Sequence, residues 1–493
     1  MKRCAVTICF TLIVSGCAIG PDYKRPEIKA PAAFRGQTEA PGAKSLADLA
    51  WWGLYRDPVL EQLIKTALEH NYDVKIAVAR IEEFRAAAGI AGLGSLPLIS
   101  ASGGASKSRL TTVGPTPLPA GINPLSPTYN AEVDVSYEVD LWRRIANLNA
   151  AARADLLATE FARDIARTTV ITNVAIAYFT LRTLDRQLAV TQRTVATREK
   201  FLELTRAQFN RGVVSGLDVN RAEANLAFAR GNVPDLQRQI AQAENALQIL
   251  LGENPASILR APPTEARFFS LPPDVPVGLP AALLERRPDL RQAETNLIGA
   301  NARLKSVKAS LFPTISLTGE LGSKSAALTD LFTGPAKTWM FGLGLLQPII
   351  DPNRNVYQVD IYSAREKQVM LQYQQSVAQA FREVSDALAA RQGYAEFMRA
   401  QEDQVAALRA ASERVLKRYK IGFSSYFEVI DADTVLFTAE LQLAQAYQNT
   451  LISLVQLYKA LGGGWQTARP AAERPEKAVS SGGIADDHAR PSR

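Results

Sequence analysis

Between residues 129 and 141 the chain alternates. Tyr129, Ala131, Val133, Val135, Tyr137, Val139 and Leu141 interleave with Asn130, Glu132, Asp134, Ser136, Glu138 and Asp140, a period of two that predicts a strand with one apolar and one acidic face. Its length exceeds the usual strand of about five or six residues and suits the roughly 9–11 needed to cross a bilayer at a tilt. Ile315, Leu317 and Leu321 against Ser316, Thr318 and Glu320 repeat the pattern, and Trp339, Phe341, Leu343 and Leu345 form a more apolar partner. Four strands are predicted, at about 98–109, 128–141, 313–323 and 338–350, the first alternating only weakly. They form two hairpins, with loops at Thr112 to Ser126 and about Ala326 to Ala336.

Elsewhere the period is helical. No Pro or Gly occurs from Arg143 to Arg211, and from Arg354 to Ser425 there is no Pro and only Gly393 and Gly422. Each stretch predicts a rod of roughly 100 Å at about 1.5 Å per residue. Val369, Tyr373, Val377, Phe381, Val384 and Leu388 recur as a seam of coiled-coil type along the second rod. Each rod ends in a turn, at Gly212 or Gly422, followed by a shorter helix at about 217–250 or 426–461. Another shorter helix precedes each hairpin, at about 56–94 and 285–311, so two short helices laid end to end match one rod. Pro234 is expected to bend or break the third helix near its middle.

The chain is internally duplicated. A shift of 210 residues lays Phe209 to Val219 over Tyr419 to Val429, pairing Gly212 with Gly422 and Ser215 with Ser425, and lands Leu251-Gly252 on Leu461-Gly462. A shift of 216 lays Asp73, Ala77, Ala86, Pro97, Ile99 and Ser100 over Asp289, Ala293, Ala302, Pro313, Ile315 and Ser316. One architecture used twice follows from the common order and spacing. The repeats are placed at 56–254 and 285–463, joined by a Pro-rich equatorial linker at 255–284.

Composition narrows the function. Apolar residues make up 47% and charged residues 21%, and the net charge of +7 is spread along the chain, so the footprint of a nucleic-acid binder is missing. The histidines are His70 and His488 and the cysteines are Cys4, Cys9 and Cys17. No His/Cys metal site, and no nucleophile-and-base set of an enzyme, can be assembled from these. His70 is expected on a helix surface. Lys2 and Arg3, the apolar run at 4–14 and Val14-Ser15-Gly16-Cys17 read as a signal peptide (1–16) ending in a lipobox, which would make Cys17 the acylated first residue of a lipidated segment at 17–55. Ala18, where an inner-membrane retention signal would show Asp, favours the outer membrane. The tail at 464–493 is polar and Pro-rich and is expected to lack order, with Trp465 anchoring its start.

Four strands cannot close a membrane barrel. Such barrels begin at about eight strands, and an open edge in lipid leaves backbone groups unpaired at several kcal/mol each. Two copies would supply eight strands and three would supply twelve. Eight leave an interior filled by side chains, whereas twelve leave a channel suited to the acidic face.

The start Cys17-Ala-Ile-Gly-Pro-Asp-Tyr-Lys-Arg-Pro26, the helix start Glu285-Arg-Arg-Pro-Asp289, the duplication and the end Leu457-Tyr-Lys-Ala-Leu-Gly-Gly-Gly-Trp465 resemble the lipoprotein (NodT-type) branch of the TolC-like outer-membrane factors. The resemblance covers nearly all of the chain from Cys17. It implies an α+β membrane protein: a homotrimer with a twelve-stranded transmembrane β-barrel, four strands per chain, continuing through a small mixed equatorial domain into a long periplasmic α-helical barrel. The implied role is the exit duct of a tripartite efflux system for small molecules. Its implied partners are a periplasmic adaptor, an inner-membrane RND-type pump and outer-membrane lipid, with no cofactor beyond the covalent lipid on Cys17. An outer-membrane duct for type I protein secretion is the alternative within the family. A periplasmic coiled-coil adaptor lipoprotein, the alternative outside it, would lack the long strands.

The resemblance also implies a gate at the turn end, on the helix after the second turn. The matching positions are Phe427 and Asp431, four apart on one helix face, with Arg418 on the preceding rod as the preferred partner of Asp431 and Arg221, its repeat-equivalent, as second choice. Gly212, Ser215, Gly422 and Ser425 mark exposed tips for adaptor docking. A Cys17→Ser variant is expected to lose acyl labelling while still assembling in the outer membrane, because the barrel inserts on its own. Loss of every oligomer on unheated gels would show that the anchor is required.

Overall fold

The computed structural model of the chain describes residues 23–37 apart from 29, and 57–113, 119, 121–262, 278, 280–347 and 352–463. The signal segment, Cys17, linker residues 263–277, the end of the fourth predicted strand (348–350) and the tail with Trp465 lie outside the described residues.

In chain order the elements are α1 (Pro58–His70), α2 (Tyr72–Leu93), β1 (Leu98–Arg109), β2 (Leu125–Val139), α3 (Arg144–Asn210), α4 (Gly216–Leu251), α5 (Leu283–Arg286), α6 (Pro288–Ala309), β3 (Thr314–Ser325), β4 (Lys337–Leu346), α7 (Pro352–Lys420) and α8 (Tyr426–Ala460). A short helix, two strands, a rod and a second short helix thus occur twice. The rods α3 and α7 have 67 and 69 residues.

The strands form one antiparallel sheet in the order β1-β2-β3-β4. Its register aligns Ile99, Val135, Gly319 and Phe341 in one row, and Ala101, Val133, Leu321 and Trp339 in the next. Adjacent rows carry Ser100, Asp134, Glu320 and Met340, then Ser102, Glu132, Gly322 and Thr338. Because successive residues point to opposite faces, one face of the sheet is apolar through these rows, with Lys107, Arg109 and Lys337 only at its loop end, and the other is polar and acidic. The weakly alternating β1 is a full strand, since its backbone pairs with β2 from Leu98 to Arg109 whatever its side chains are. The apolar face is uncovered: Trp339 is 72% and Phe341 79% exposed.

The alternation predicted to Leu141 stops at Val139, because Asp140 is taken up by the next helix. Its carboxylate accepts from the backbone N–H groups of Ile145 (3.0 Å) and Ala146 (2.7 Å), and so starts α3. Trp142 Nε1 donates to the Pro313 carbonyl (2.7 Å) and its ring stacks on Phe312 at 4.8 Å. That contact ties the strand-to-helix corner of the first repeat to the helix-to-strand corner of the second.

The helix expected over 56–94 is divided at Asn71. Its side chain caps α2 by accepting from the N–H groups of Asp73 (2.8 Å) and Val74 (3.3 Å), while its Nδ2 donates to the Leu250 carbonyl at the end of α4 (2.8 Å). Arg287, displaced by the same 216 residues, donates from Nη1 to the Ala460 carbonyl near the end of α8 (3.1 Å). The two sequence shifts meet at these joints: residues 71 and 250 of one repeat correspond to 287 and 460 of the other. Each joint stacks two short helices end to end beside a rod. Pro234 does not break α4, which runs through it to Leu251. The N–H that proline lacks would have bonded the Arg230 carbonyl, which lies on an exposed stretch where water can bind it.

The main core surrounds the joints. It combines Leu60 and Ile64 of α1, Val170 to Leu181 of α3, Leu247 and Leu251 of α4, Leu290 of α6, Tyr373, Val377, Val384 and Leu388 of α7, and Leu451 to Leu461 of α8. The predicted seam of α7 is therefore core, with Val369 and Phe381 packed at its margin. Buried hydroxyls on α3 at Thr168, Thr172, Thr183, Thr191 and Thr205 bond carbonyls four residues earlier at 2.7–3.0 Å, so none is orphaned. Residues 23–28 and 30–37 strap this level from outside, with Phe34 buried near Phe381 and Arg25 bonded to Glu285 and Glu294 at 2.6 Å each. Arg260, in the linker, pairs with Asp185 of α3 and Glu244 of α4. His70 is exposed, as expected.

Gly252 and Gly212 have nearly equal left-handed φ values, +74° and +73°, but a Cβ at Gly252 would lie against the His70 carbonyl while one at Gly212 would meet nothing within 4 Å. Gly212→Ala is expected to cost about 1 kcal/mol, the ordinary left-handed penalty. Gly252→Ala should cost about 2–3 kcal/mol more, because backbone must shift at the joint. Thermal unfolding midpoints of the two variants, compared in one detergent, measure the difference.

Candidate gate at the helical turns

Both turns are built the same way. After α3, Val213 N–H donates to the Gln208 carbonyl (3.0 Å) and Gly212 N–H to that of Phe209 (2.9 Å). After α7, Phe423 N–H donates to Arg418 (2.9 Å) and Gly422 N–H to Tyr419 (3.0 Å). The left-handed residue is Gly212 (φ +73°) or Gly422 (φ +80°), the helix ending in which glycine carries no Cβ penalty. The next helix starts at Ser215 or Ser425. Ser215 N–H donates to Asp218 Oδ2 (3.2 Å); Ser425 N–H donates to Glu428 Oε1 (3.3 Å) and its Oγ accepts from Glu428 N–H (3.3 Å). The Ser425 backbone N–H holds the Glu428 carboxyl below the usual carboxylate range, which keeps it ionised at neutral pH. The local role of all four tip residues is thus to stop one helix and start another. All four are also exposed.

Phe427 lies in the first turn of α8, 63% exposed, with Asp431 exposed one turn further on. Arg418 is not paired with Asp431 within the chain. Its Nη2 donates to the Phe423 carbonyl (3.0 Å), closing the turn, and its charge acts on Glu428. Arg221 is exposed on α4, and among the described residues neither it nor Asp431 has an ion-pair partner in the same chain.

Sequence reading missed the groups that bind the two hairpins of helices to each other. Arg198 of α3 is buried; its Nε donates to Asp433 Oδ2 (2.8 Å), its Nη1 to the Asn225 carbonyl of α4 (2.8 Å), and its guanidinium lies 5.4 Å from the Phe437 ring centre. Glu440 of α8, also buried, receives Arg193 of α3 (2.6 Å) and Arg409 of α7 (2.5 Å). Asp433 is two residues beyond Asp431, so the helix turns one carboxylate inward and the other outward. A small second core of Leu202, Ala222, Leu226, Tyr419 and Tyr426 lies nearby; Phe201 and Tyr426 stack at 5.3 Å, and Tyr419 Oη donates to Gln208 Oε1 (2.6 Å). Burial pushes the Tyr426 phenol pKa up, so it stays protonated.

The outer membrane efflux protein family model matches residues 63–253 and 279–463. The chain is 36% identical over 460 residues to the probable efflux pump outer membrane protein TtgC of Pseudomonas putida, covering 92% of this chain and 94% of that one. It superposes on the outer-membrane channel OprN with a TM-score of 0.84 at 28% identity, covering 91% of this chain and 100% of that one. On the open state of the MtrE outer membrane channel of Neisseria gonorrhoeae the TM-score is 0.81 at 31% identity, with 91% and 99% covered. With the family matched in both halves and relatives aligned along nine-tenths of its length, the chain belongs to the outer membrane efflux protein family and is an efflux channel component of the outer membrane.

Proposed function

We propose that three copies assemble into a passive exit duct, with a twelve-stranded barrel in the outer membrane and the rods and short helices forming a tunnel in the periplasm. The observation that carries this reading is the sheet itself. Its apolar face is exposed from β1 to β4, its two outer edges are unpaired among the described residues, and no described helix is long and apolar enough to cross a membrane. Lipid would cover the apolar face, and further copies would pair the edges. The acidic face, with Glu132, Asp134 and Glu320, would then line water. Cys17, acylated, adds an anchor beside the barrel.

In this reading the duct receives small molecules from an RND-type inner-membrane pump through a periplasmic adaptor. The exposed turns around Gly212, Ser215, Gly422 and Ser425 are the docking tips. Phe427 and Asp431 close the turn end around the axis. Arg418 and Arg221 are unpaired with Asp431 in one chain, so either would reach it from a neighbouring copy. Three unpartnered carboxylates around an axis repel, and a cation from the next copy would favour the closed state. An exposed pair of this kind contributes roughly 0–1 kcal/mol, and its effect on the tip comes from threefold repetition.

Unheated protein extracted into native lipid should run as a trimer that heat converts to the single chain; a monomeric particle without a hollow axis would overturn the assembly. Asp431→Ala and Arg418→Ala are expected to raise single-channel conductance in planar bilayers, with the double variant no larger than the greater single effect. Unchanged conductance would remove both residues from the gate.

A further inference from the structure

Inside the turn-end half, where α3, α4, α7 and α8 of one chain meet, lies a cavity of about 60 Å³. Phe201, Ala222, Leu416, Val429 and Ile430 supply most of its wall, drawn from all four helices. One strong donor faces it. Arg198 is 94% buried, two of its nitrogens are used on Asp433 and Asn225, and its Nη2 is buried with no hydrogen-bond partner. An orphaned guanidinium N–H in a low-dielectric interior is costly, and it favours an occupant that brings an acceptor. Charge selects further. Asp433 and Arg198 both line the cavity and are already paired with each other, so an anion would meet the carboxylate and a cation the guanidinium. The occupant must be neutral. A cavity of roughly 150 Å³ accommodates the six non-hydrogen atoms of benzene, so one of about 60 Å³ holds two or three.

We propose that this cavity is a binding site for a compact neutral molecule with an apolar end and one oxygen acceptor, an alcohol of one or two carbons. The oxygen accepts from Arg198 Nη2 and the methyl end packs on Phe201, Leu416, Val429 and Ile430. Bound there, the molecule bridges both hairpins of helices. The site stands whether or not the turn end is the gate.

The test uses the full chain in lipid nanodiscs, with its Ile, Leu and Val methyl groups isotope-labelled, titrated with ethanol. Methyl resonances of Leu416, Val429 and Ile430 should shift and saturate, while those of exposed Val213 and Leu217 drift linearly. Propane, of similar shape but without the oxygen, should bind at least about tenfold more weakly, because it leaves the guanidinium unpaired. Ala222→Leu fills the cavity from α4 and should abolish the saturable component in an assembled variant; Val429→Phe fills it from α8 and serves if the first does not assemble. Linear shifts at every methyl would overturn the site, as would saturable shifts that survive filling. Equal affinity for propane would overturn the assignment of Arg198 as donor.

Discussion

The rest of the structure depends on the unpaired edges of a four-stranded sheet. β1 and β4 each present a row of backbone groups that nothing else in the described chain pairs, on a sheet whose one face is apolar across its middle rows. In water that face is an association hazard and in lipid the edges are intolerable, each unpaired group costing several kcal/mol. Pairing with further copies of the same sheet, as proposed, would remove both problems at once. The sheet also fixes where the described helices go: α3 and α7 leave the same end that α2 and α6 enter, so rods and short helices lie beyond that one end. The Trp142–Pro313 bond at that boundary joins the two repeats where sheet gives way to helix.

Below the sheet, the joints at Asn71 and Arg287 let two short helices stand in for one rod. The same task is done by different chemistry in the two repeats. Asn71 is neutral and serves as both a cap and a cross-link. Arg287 reaches the equivalent carbonyl, but as a buried cation it also requires Asp289 and Glu383, at 2.6 and 2.7 Å. Removing both carboxylates would leave charge uncompensated in the interior, a liability the Asn joint does not have. The closeness of Gly252 and Gly462 to the opposing backbone follows from the same end-on contact, since a side chain at either would keep the helices apart.

Much of this was legible from period and punctuation. Strands of twelve residues or so, rods free of Pro and Gly, and paired glycines at the turns all come from local rules, and the structure places them within a few residues of expectation. The departures have local causes too. Asp140 ends β2 early because it caps α3, and Asn71 divides a predicted helix because its side chain satisfies two ends simultaneously. Of the bend or break expected at Pro234 the break does not occur, because the exposed carbonyl left without its helical donor finds water. What could not be read was which polar residues of the rods face inward. Arg198 and Glu440 carry no sequence mark that separates them from the many solvated charges around them, since their partners lie on other helices, as distant along the chain as 235 and 247 residues.

One relation between the repeats was hidden for a reason of its own. Residues 199 and 230 of the first repeat correspond, at the 210-residue shift, to 409 and 440 of the second. Glu199 pairs with Arg230 at 2.6 Å, and Arg409 with Glu440 at 2.5 Å, so the ion pair across each hairpin is kept with its charges exchanged. Coulomb attraction is indifferent to the order of the two signs, so a pair can invert while its geometry persists, and comparison of residue types then scores two mismatches where the physics is unchanged. The two copies differ in surroundings. Glu199 and Arg230 are exposed and the pair is worth little, whereas Glu440 is buried and takes a second cation, Arg193, from the other hairpin. Inversion put the shorter, acceptor-only side chain on α8, where two guanidinium groups can converge on its two oxygens. An arginine at 440 would have faced Arg193 as a like charge. The exchange of signs is therefore what allows the second hairpin to be bonded to the first as well as to itself.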